Sequence, residues 1–96
     1  MNLKGRITIK NLEYQVQRIN QLTGSPETPF SQIEGKCVAN IGNYHLDQAY
    51  GGIKLVRMDN ESGGISLISR YGYGTKNELS LWMDAFIAGL ESGARS

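Results

Sequence analysis

The sequence predicts an α+β domain in which antiparallel β-hairpins are flanked by an N-terminal and a C-terminal amphipathic helix. Three observations predict it. Apolar residues recur at helical spacing from Leu12 to Leu22 and again from Leu79 to Leu90, and between them short β-branched segments are divided by paired glycines.

Taken in order, Ile7 and Ile9 alternate as a short edge strand would. Leu12, Val16, Ile19 and Leu22 then predict a helix of about three turns, with Asn11 as its N-cap, Glu13 in its first turn and Gly24 just past its end. Ser25-Pro26-Glu27-Thr28-Pro29 stops it, because proline lacks an amide donor and restricts the residue before it. A loop is expected to about Glu34. Lys36 to Ile41 sets Cys37, Ala39 and Ile41 against Lys36, Val38 and Asn40, as a strand with unlike faces does. Cys37 is expected in the core, since free cysteine is among the most buried residue types.

Gly42 to Leu46 and Ala49 to Gly52 concentrate turn formers and polar side chains. Ile53 to Met58 and Ile65 to Ser69 are strands by their β-branched content. Each follows a glycine pair, in Tyr50-Gly51-Gly52-Ile53 and Ser62-Gly63-Gly64-Ile65, where positive φ costs no Cβ clash. Connections this short make antiparallel hairpins. The final helix opens on a capping box, Thr75-Lys76-Asn77-Glu78, and presents Leu79, Trp82, Met83, Phe86, Ile87 and Leu90 on one stripe until Gly93 ends it. As a core residue, Trp82 is expected to cost about 3–5 kcal/mol when cut to alanine.

Residues 1–96 make one domain, whose small core leaves homodimerisation or a higher homo-oligomer as a source of added stability. A net charge of +1 supplies no field to gather duplex nucleic acid. A single cysteine forms no intrachain disulfide and fits a reducing cytoplasm. The N-terminus lacks the apolar region of a signal peptide, and no apolar run approaches the roughly 20 residues that cross a bilayer, so no membrane partner is expected.

Candidate chemistry gathers between Gly35 and Gly74. Cys37, His45 and Asp47 are the residue types of a nucleophile, base and orienter, but Cys37 reads as core, and His45 with Asp47 falls short of the three or four ligands of a zinc site. No catalytic residue, metal or cofactor is therefore expected. Gly72-Tyr73-Gly74-Thr75-Lys76 places glycines, a lysine and open amides at a helix N-terminus, which favours an anion; the glycine spacing is not that of a Walker loop, and Glu78 opposes a phosphate there. Tyr44, Tyr50, Tyr71 and Tyr73 offer stacking faces near turns. Arg57 serves either an ion pair with Asp59 or Glu61 or phosphate recognition, and Arg70 has the same two roles open. Asn43 and Asn60 read a base edge or cap their own turns. Arg18 lies opposite Val16 and Ile19 on a face expected to be solvated.

Gly42-Asn43-Tyr44-His45-Leu46, Ala49-Tyr50-Gly51-Gly52, the Met58 to Gly64 turn and the helix from Lys76 to Gly89 resemble small phage and prophage-encoded proteins, as does the segment from Arg18 to Pro26. Within that group the chain is similar to the Thoeris anti-defence sponges, which sequester cyclic ADP-ribose isomers and assemble from dimers. The resemblance implies a protein that captures a small nucleotide-derived signal, a cyclic ADP-ribose isomer or cyclic oligonucleotide, in the host cytoplasm without cleaving it. It also implies an aromatic ring on adenine with asparagine and arginine on ribose and diphosphate. Tyr44, Tyr50, Arg57, Asn60 and Arg70 have that chemistry, and Asn43, His45 and Tyr71 complete the expected ligand-binding set. The alternative is an inhibitor that docks a hairpin face on a host defence enzyme or nuclease through tyrosine and arginine anchors. A small hydrolase using His45 is a third reading.

Overall fold

A computed structural model of the chain describes residues 7–69 and 73–94. Its elements are α1 (Ile9–Thr23), β1 (Phe30–Ile33), β2 (Lys36–Ala39), β3 (Tyr44–Ala49), β4 (Gly52–Met58), β5 (Ile65–Leu67) and α2 (Lys76–Ala94). Strands β3, β4 and β5 form an antiparallel sheet in that order, while β1 and β2 pair separately as a two-stranded ribbon. This is the α+β arrangement of hairpins and terminal helices that the sequence predicts. Among the described residues no helix is long and apolar enough to cross a membrane.

Helix α1 begins earlier than its apolar stripe. Thr8 is the N-cap: its Oγ1 accepts from the Asn11 amide at 3.1 Å, and Asn11 Oδ1 accepts from the Thr8 amide at 3.0 Å. Asparagine thus completes a capping box usually closed by glutamate, and Asn11 is the third helical residue rather than the cap. Ile9 consequently belongs to the helix, not to an edge strand, and both Ile7 and Ile9 pack against the core. The helix stops where expected, at Gly24, whose φ of 68° is the left-handed conformation that glycine adopts freely.

Register fixes the two faces of the sheet. Tyr44 opposes Arg57, Leu46 opposes Leu55 and Gln48 opposes Ile53, so these side chains share the face toward the helices. There Ile53 and Leu55 bury against Leu12, Val16 and Ile19 of α1 and Leu79 and Met83 of α2. The opposite face carries His45, Asp47, Lys54, Val56, Met58, Ile65 and Leu67, of which Val56 and Met58 are fully buried and Ile65 and Leu67 exposed. Trp82, Phe86, Ile87 and Leu90 are only partly buried around the helix-packed core. Trp82 stacks on Phe86 with ring centroids 5.0 Å apart, which places it on the rim and lowers its expected cost of truncation below that of a core residue. Helix α2 also runs through Gly93 to Ala94.

The side of α1 expected to face water meets α2 instead. Gln15 Nε2 donates to the Ser80 carbonyl at 3.0 Å and to Asp84 Oδ1 at 2.8 Å, and Arg18 Nη2 pairs with Glu91 Oε2 at 2.8 Å. A polar seam therefore borders the apolar contact between the helices.

Two further expectations change. The predicted loop to Glu34 contains β1, which turns through Glu34 and Gly35, both at positive φ, into β2. Neither face of this ribbon is covered by a helix: Phe30 is 48% and Ile33 54% exposed, and Cys37 is exposed rather than in the core. The polar run at Tyr44–Ala49 is also a strand. It enters through the turn Asn40 to Asn43, closed by the Asn43 amide on the Asn40 carbonyl at 3.1 Å, with Gly42 at φ 94° in the position where type II turns need glycine.

Candidate functional site

Strands β3 and β4 join through Tyr50 and Gly51, at φ 54° and 74°, the pair of positive values that a tight type I′ hairpin demands. Tyrosine is an unusual choice for the first of them, since a Cβ makes the left-handed region unfavourable. Its side chain is 95% exposed and touches the edge of Tyr73, ring centroids 5.5 Å apart.

Tyr73 lies across the hairpin because Gly74 exchanges two backbone hydrogen bonds with Ile53, at 2.9 and 3.0 Å. The chain approaches β4 so closely that a Cβ on Gly52 would stand 2.8 Å from Tyr73 Cβ and 2.9 Å from its carbonyl carbon. The Tyr73 hydroxyl donates to Asp47 Oδ2 at 2.6 Å, and that bond, more than burial, holds the phenol above its ordinary range. Lys54 Nζ sits 4.2 Å from the centre of the Tyr73 ring and 3.9 Å from the same Asp47 oxygen. A cation, an aromatic face and a carboxylate therefore fasten this segment to the hairpin.

Beside it opens a groove of about 790 Å³ between the hairpin end and the start of α2. Ile7, Ile9 and Ile53 give it an apolar floor, Gly51, Gly52 and Gly74 a wall of backbone, and Gln48, Thr75, Lys76 and Asn77 a polar rim. The capping box forms as predicted: the Thr75 amide donates to Glu78 Oε1 at 2.9 Å, and the Glu78 amide donates to Thr75 Oγ1 at 3.1 Å. The Thr75 amide, then its hydroxyl, keeps the Glu78 carboxyl below its ordinary range, so it remains an anion turned back on the cap and does not line the groove. The first-turn amides of Lys76 and Asn77 are left open, and Lys76 has no ion-pair partner among the described residues. Backbone partial charge and an ammonium thus favour an anion at one end of an apolar trough.

The residues expected to bind ligand do not converge there. Asn43, Tyr44 and His45 line a second groove, about 510 Å³, between α1 and Glu27-Thr28-Pro29. Asn43 is fully buried and already committed: its Nδ2 donates to the Pro26 carbonyl at 2.9 Å, and its Oδ1 lies 3.0 Å from His45 Nδ1. Tyr44 tilts against Phe86 at 6.1 Å, and its backbone is held by Asn20. Burial pushes the His45 imidazole below its ordinary range, against the opposing pull of Asp47. Asp47 spends its hydrogen bond on Tyr73, so Asn43 rather than Asp47 orients His45, and Cys37 stands on the exposed ribbon. The nucleophile, base and orienter are not assembled.

Elsewhere the expected residues have partners within the chain. Arg57 Nη1 pairs with Asp59 Oδ1 at 3.9 Å, and Asn60 Oδ1 accepts from the amides of Ser62 and Gly64 at 3.0 and 2.9 Å, capping its own turn. Tyr50 stands at the hairpin tip, with only Tyr73 beside its ring. Arg70 and Tyr71 lie outside the described residues. Among those described, no three of His, Cys, Asp and Glu are placed to hold a metal ion.

The sequence signal that found the groove was Gly74-Thr75-Lys76. Gln48, Ile7 and Ile9 were missed, because only the pairing of Ile53 with Gly74 brings that helix start to the hairpin. Compared with known proteins, the chain matches no family model, no curated protein and no solved structure at a significant level.

Proposed function

We propose that this is a phage-type anti-defence protein that sequesters a small, anionic, nucleotide-derived immune signal without cleaving it, acting as a homo-oligomer in the host cytoplasm. The groove between the hairpin end and α2 carries this reading. It joins an apolar floor to open amides and Lys76, and its volume lies within the roughly 300–1,000 Å³ of small-molecule sites. A base rests on Ile7, Ile9 and Ile53, and a phosphate on the first turn of α2. Capture by such a site inhibits through affinity alone and requires no nucleophile.

The test is thermal denaturation with cyclic ADP-ribose isomers and cyclic dinucleotides. At a ligand concentration of about 100 times Kd, binding adds about 2.7 kcal/mol, read as a rise in Tm, and the ligand is recovered intact. Lys76→Gln, on an exposed side chain, is expected to diminish that rise and leave the unliganded Tm in place. Absence of a rise with every ligand, or recovery of a cleaved product, overturns the proposal.

The half-exposed Phe30 and Ile33 on a ribbon without a helix over it favour a second reading, an inhibitor docked on a host enzyme or nuclease. Stoichiometric retention of a host protein by the tagged chain, lost in Phe30→Ser, decides for it.

A further inference from the structure

We infer that the second groove, between α1 and Glu27-Thr28-Pro29, is a separate binding site for an amide-bearing organic cation, the chemistry of an arginine or lysine residue within an extended peptide. It lies on a different surface from the anion groove beside α2, and neither site depends on the other.

The backbone of β3 supplies half of the argument. The Asn43 carbonyl accepts from the Met58 amide at 2.8 Å, so antiparallel alternation aims the backbone groups of Asn43, His45 and Asp47 at β4 and those of Tyr44, Leu46 and Gln48 away from it. Tyr44 is satisfied. Asn20 of α1, 2% exposed, donates Nδ2 to the Tyr44 carbonyl at 3.0 Å and accepts from the Tyr44 amide on Oδ1 at 2.8 Å, so that a side-chain amide stands where a neighbouring strand would. Two residues on, Leu46 is half-buried and lines the groove, and neither its amide nor its carbonyl bonds outward to any described residue. A donor and an acceptor side by side on a sheet edge are the complement of one residue of extended peptide. A ligand amide at Leu46 repeats what Asn20 does at Tyr44.

The side chains supply the charge. The two buried donors of the groove are already spent, Asn20 Nδ2 on Tyr44 and Asn43 Nδ2 on the Pro26 carbonyl at 2.9 Å. Acceptors remain. Glu13 and Glu27 form no ion pair with a described residue, and no lysine or arginine lines the groove. His45 adds a neutral acceptor: Asn43 Oδ1 can only accept, so Nδ1, 3.0 Å from it, carries the proton and Nε2 is bare, without a partner among the described residues. Val16, Pro29 and Tyr44 give an apolar wall for the stem of a basic side chain, whose head then meets the carboxylates. A space of about 510 Å³ suits a ligand of that size. The two grooves thus differ in sign, one built around Lys76 and open amides, the other around carboxylates and a deprotonated ring nitrogen.

Titration with Nα-acetylarginine amide, followed through backbone amide shifts by NMR, tests the site. Saturable shifts are expected at Leu46 and His45. Nα-acetylcitrulline amide, of the same length but uncharged, and agmatine, a cation without the amide, are each expected to bind more weakly. Glu13→Gln and Glu27→Gln, at exposed positions, should keep the circular dichroism of the wild type and each lower the affinity by up to about fivefold. No saturable shift at Leu46, or shifts confined to Thr75 and Lys76, overturns the inference. Equal affinity for the citrulline compound, or unchanged affinity when both glutamates are replaced, removes the cation; equal affinity for agmatine removes the peptide-like ligand.

Discussion

On one face of the β3-β4-β5 sheet, Leu46, Ile53 and Leu55 lie under two helices and are held by area removed from water; the other face also buries Val56 and Met58, each 1% exposed, but at its hairpin end Asp47, Lys54 and Tyr73 hold the chain through one hydrogen bond, one cation over a ring and one loose ion pair. The first kind of cohesion is non-directional and scales with burial, so it tolerates changes of shape at constant volume. The second is directional and partly exposed to solvent screening, so each contact contributes little to stability and much to position. The buried apolar side chains therefore set whether the chain folds, and the Asp47, Lys54 and Tyr73 cluster sets where its groove walls stand.

The largest effect is expected from the helix-packed face. Met83→Ala, at a side chain with no exposure, should remove about 2–5 kcal/mol of unfolding free energy in a denaturant titration; a loss under about 1 kcal/mol would dissolve the contrast. Asn20→Ala tests a buried polar clamp on that side. It leaves the Tyr44 amide and carbonyl without a partner and should cost about 1–3 kcal/mol, together with faster hydrogen exchange at Tyr44.

Much of the helix-packed side was written in spacing that a reader of the sequence sees. Leu12, Val16 and Ile19 on α1, with Leu79 and Met83 on α2, are periodic because a helix has one inward face, and Thr75 with Glu78 forms the cap that four consecutive letters spell. Strand β3 has no such period. Tyr44–Ala49 reads as turn chemistry because its outward residues are polar and a histidine and an aspartate interrupt it, yet pairing with β4 makes it a strand. Asn43 and Asn60 carry ligand-binding chemistry in the sequence and spend it on Pro26, His45 and the Ser62-Gly63-Gly64 turn, which only distance reveals. Lys76 was legible as an anion contact. Its apolar companions were not, because Ile7 and Ile9 read as a strand until Thr8 is recognised as a cap.

Smaller tests sharpen the polar cluster of the other face. Tyr73→Phe keeps the ring over Lys54 and deletes only the bond to Asp47, so its fall in Tm should be smaller than that of Asn20→Ala. An equal or larger fall would give the Asp47, Lys54 and Tyr73 cluster a structural weight it is not expected to have. His45 supplies a pH signature of the same modest size. Its folded pKa is depressed by burial, so as pH falls the unfolded chain takes the proton first; the contribution is full above about 6.5 and is lost on descent toward the lower folded value. Tm measured from neutral to acid should decline across that window, and His45→Gln should flatten the decline.

The tip of the β3-β4 hairpin keeps a bulky ring where asparagine is the natural tenant. Tyr50→Asn should raise Tm slightly, by releasing a backbone held in a conformation that a Cβ resists, and should leave the two-residue connection unchanged. A phenol standing in water, braced only by the edge of Tyr73, makes the molecule marginally easier to melt and leaves a flat aromatic face on display at its extremity.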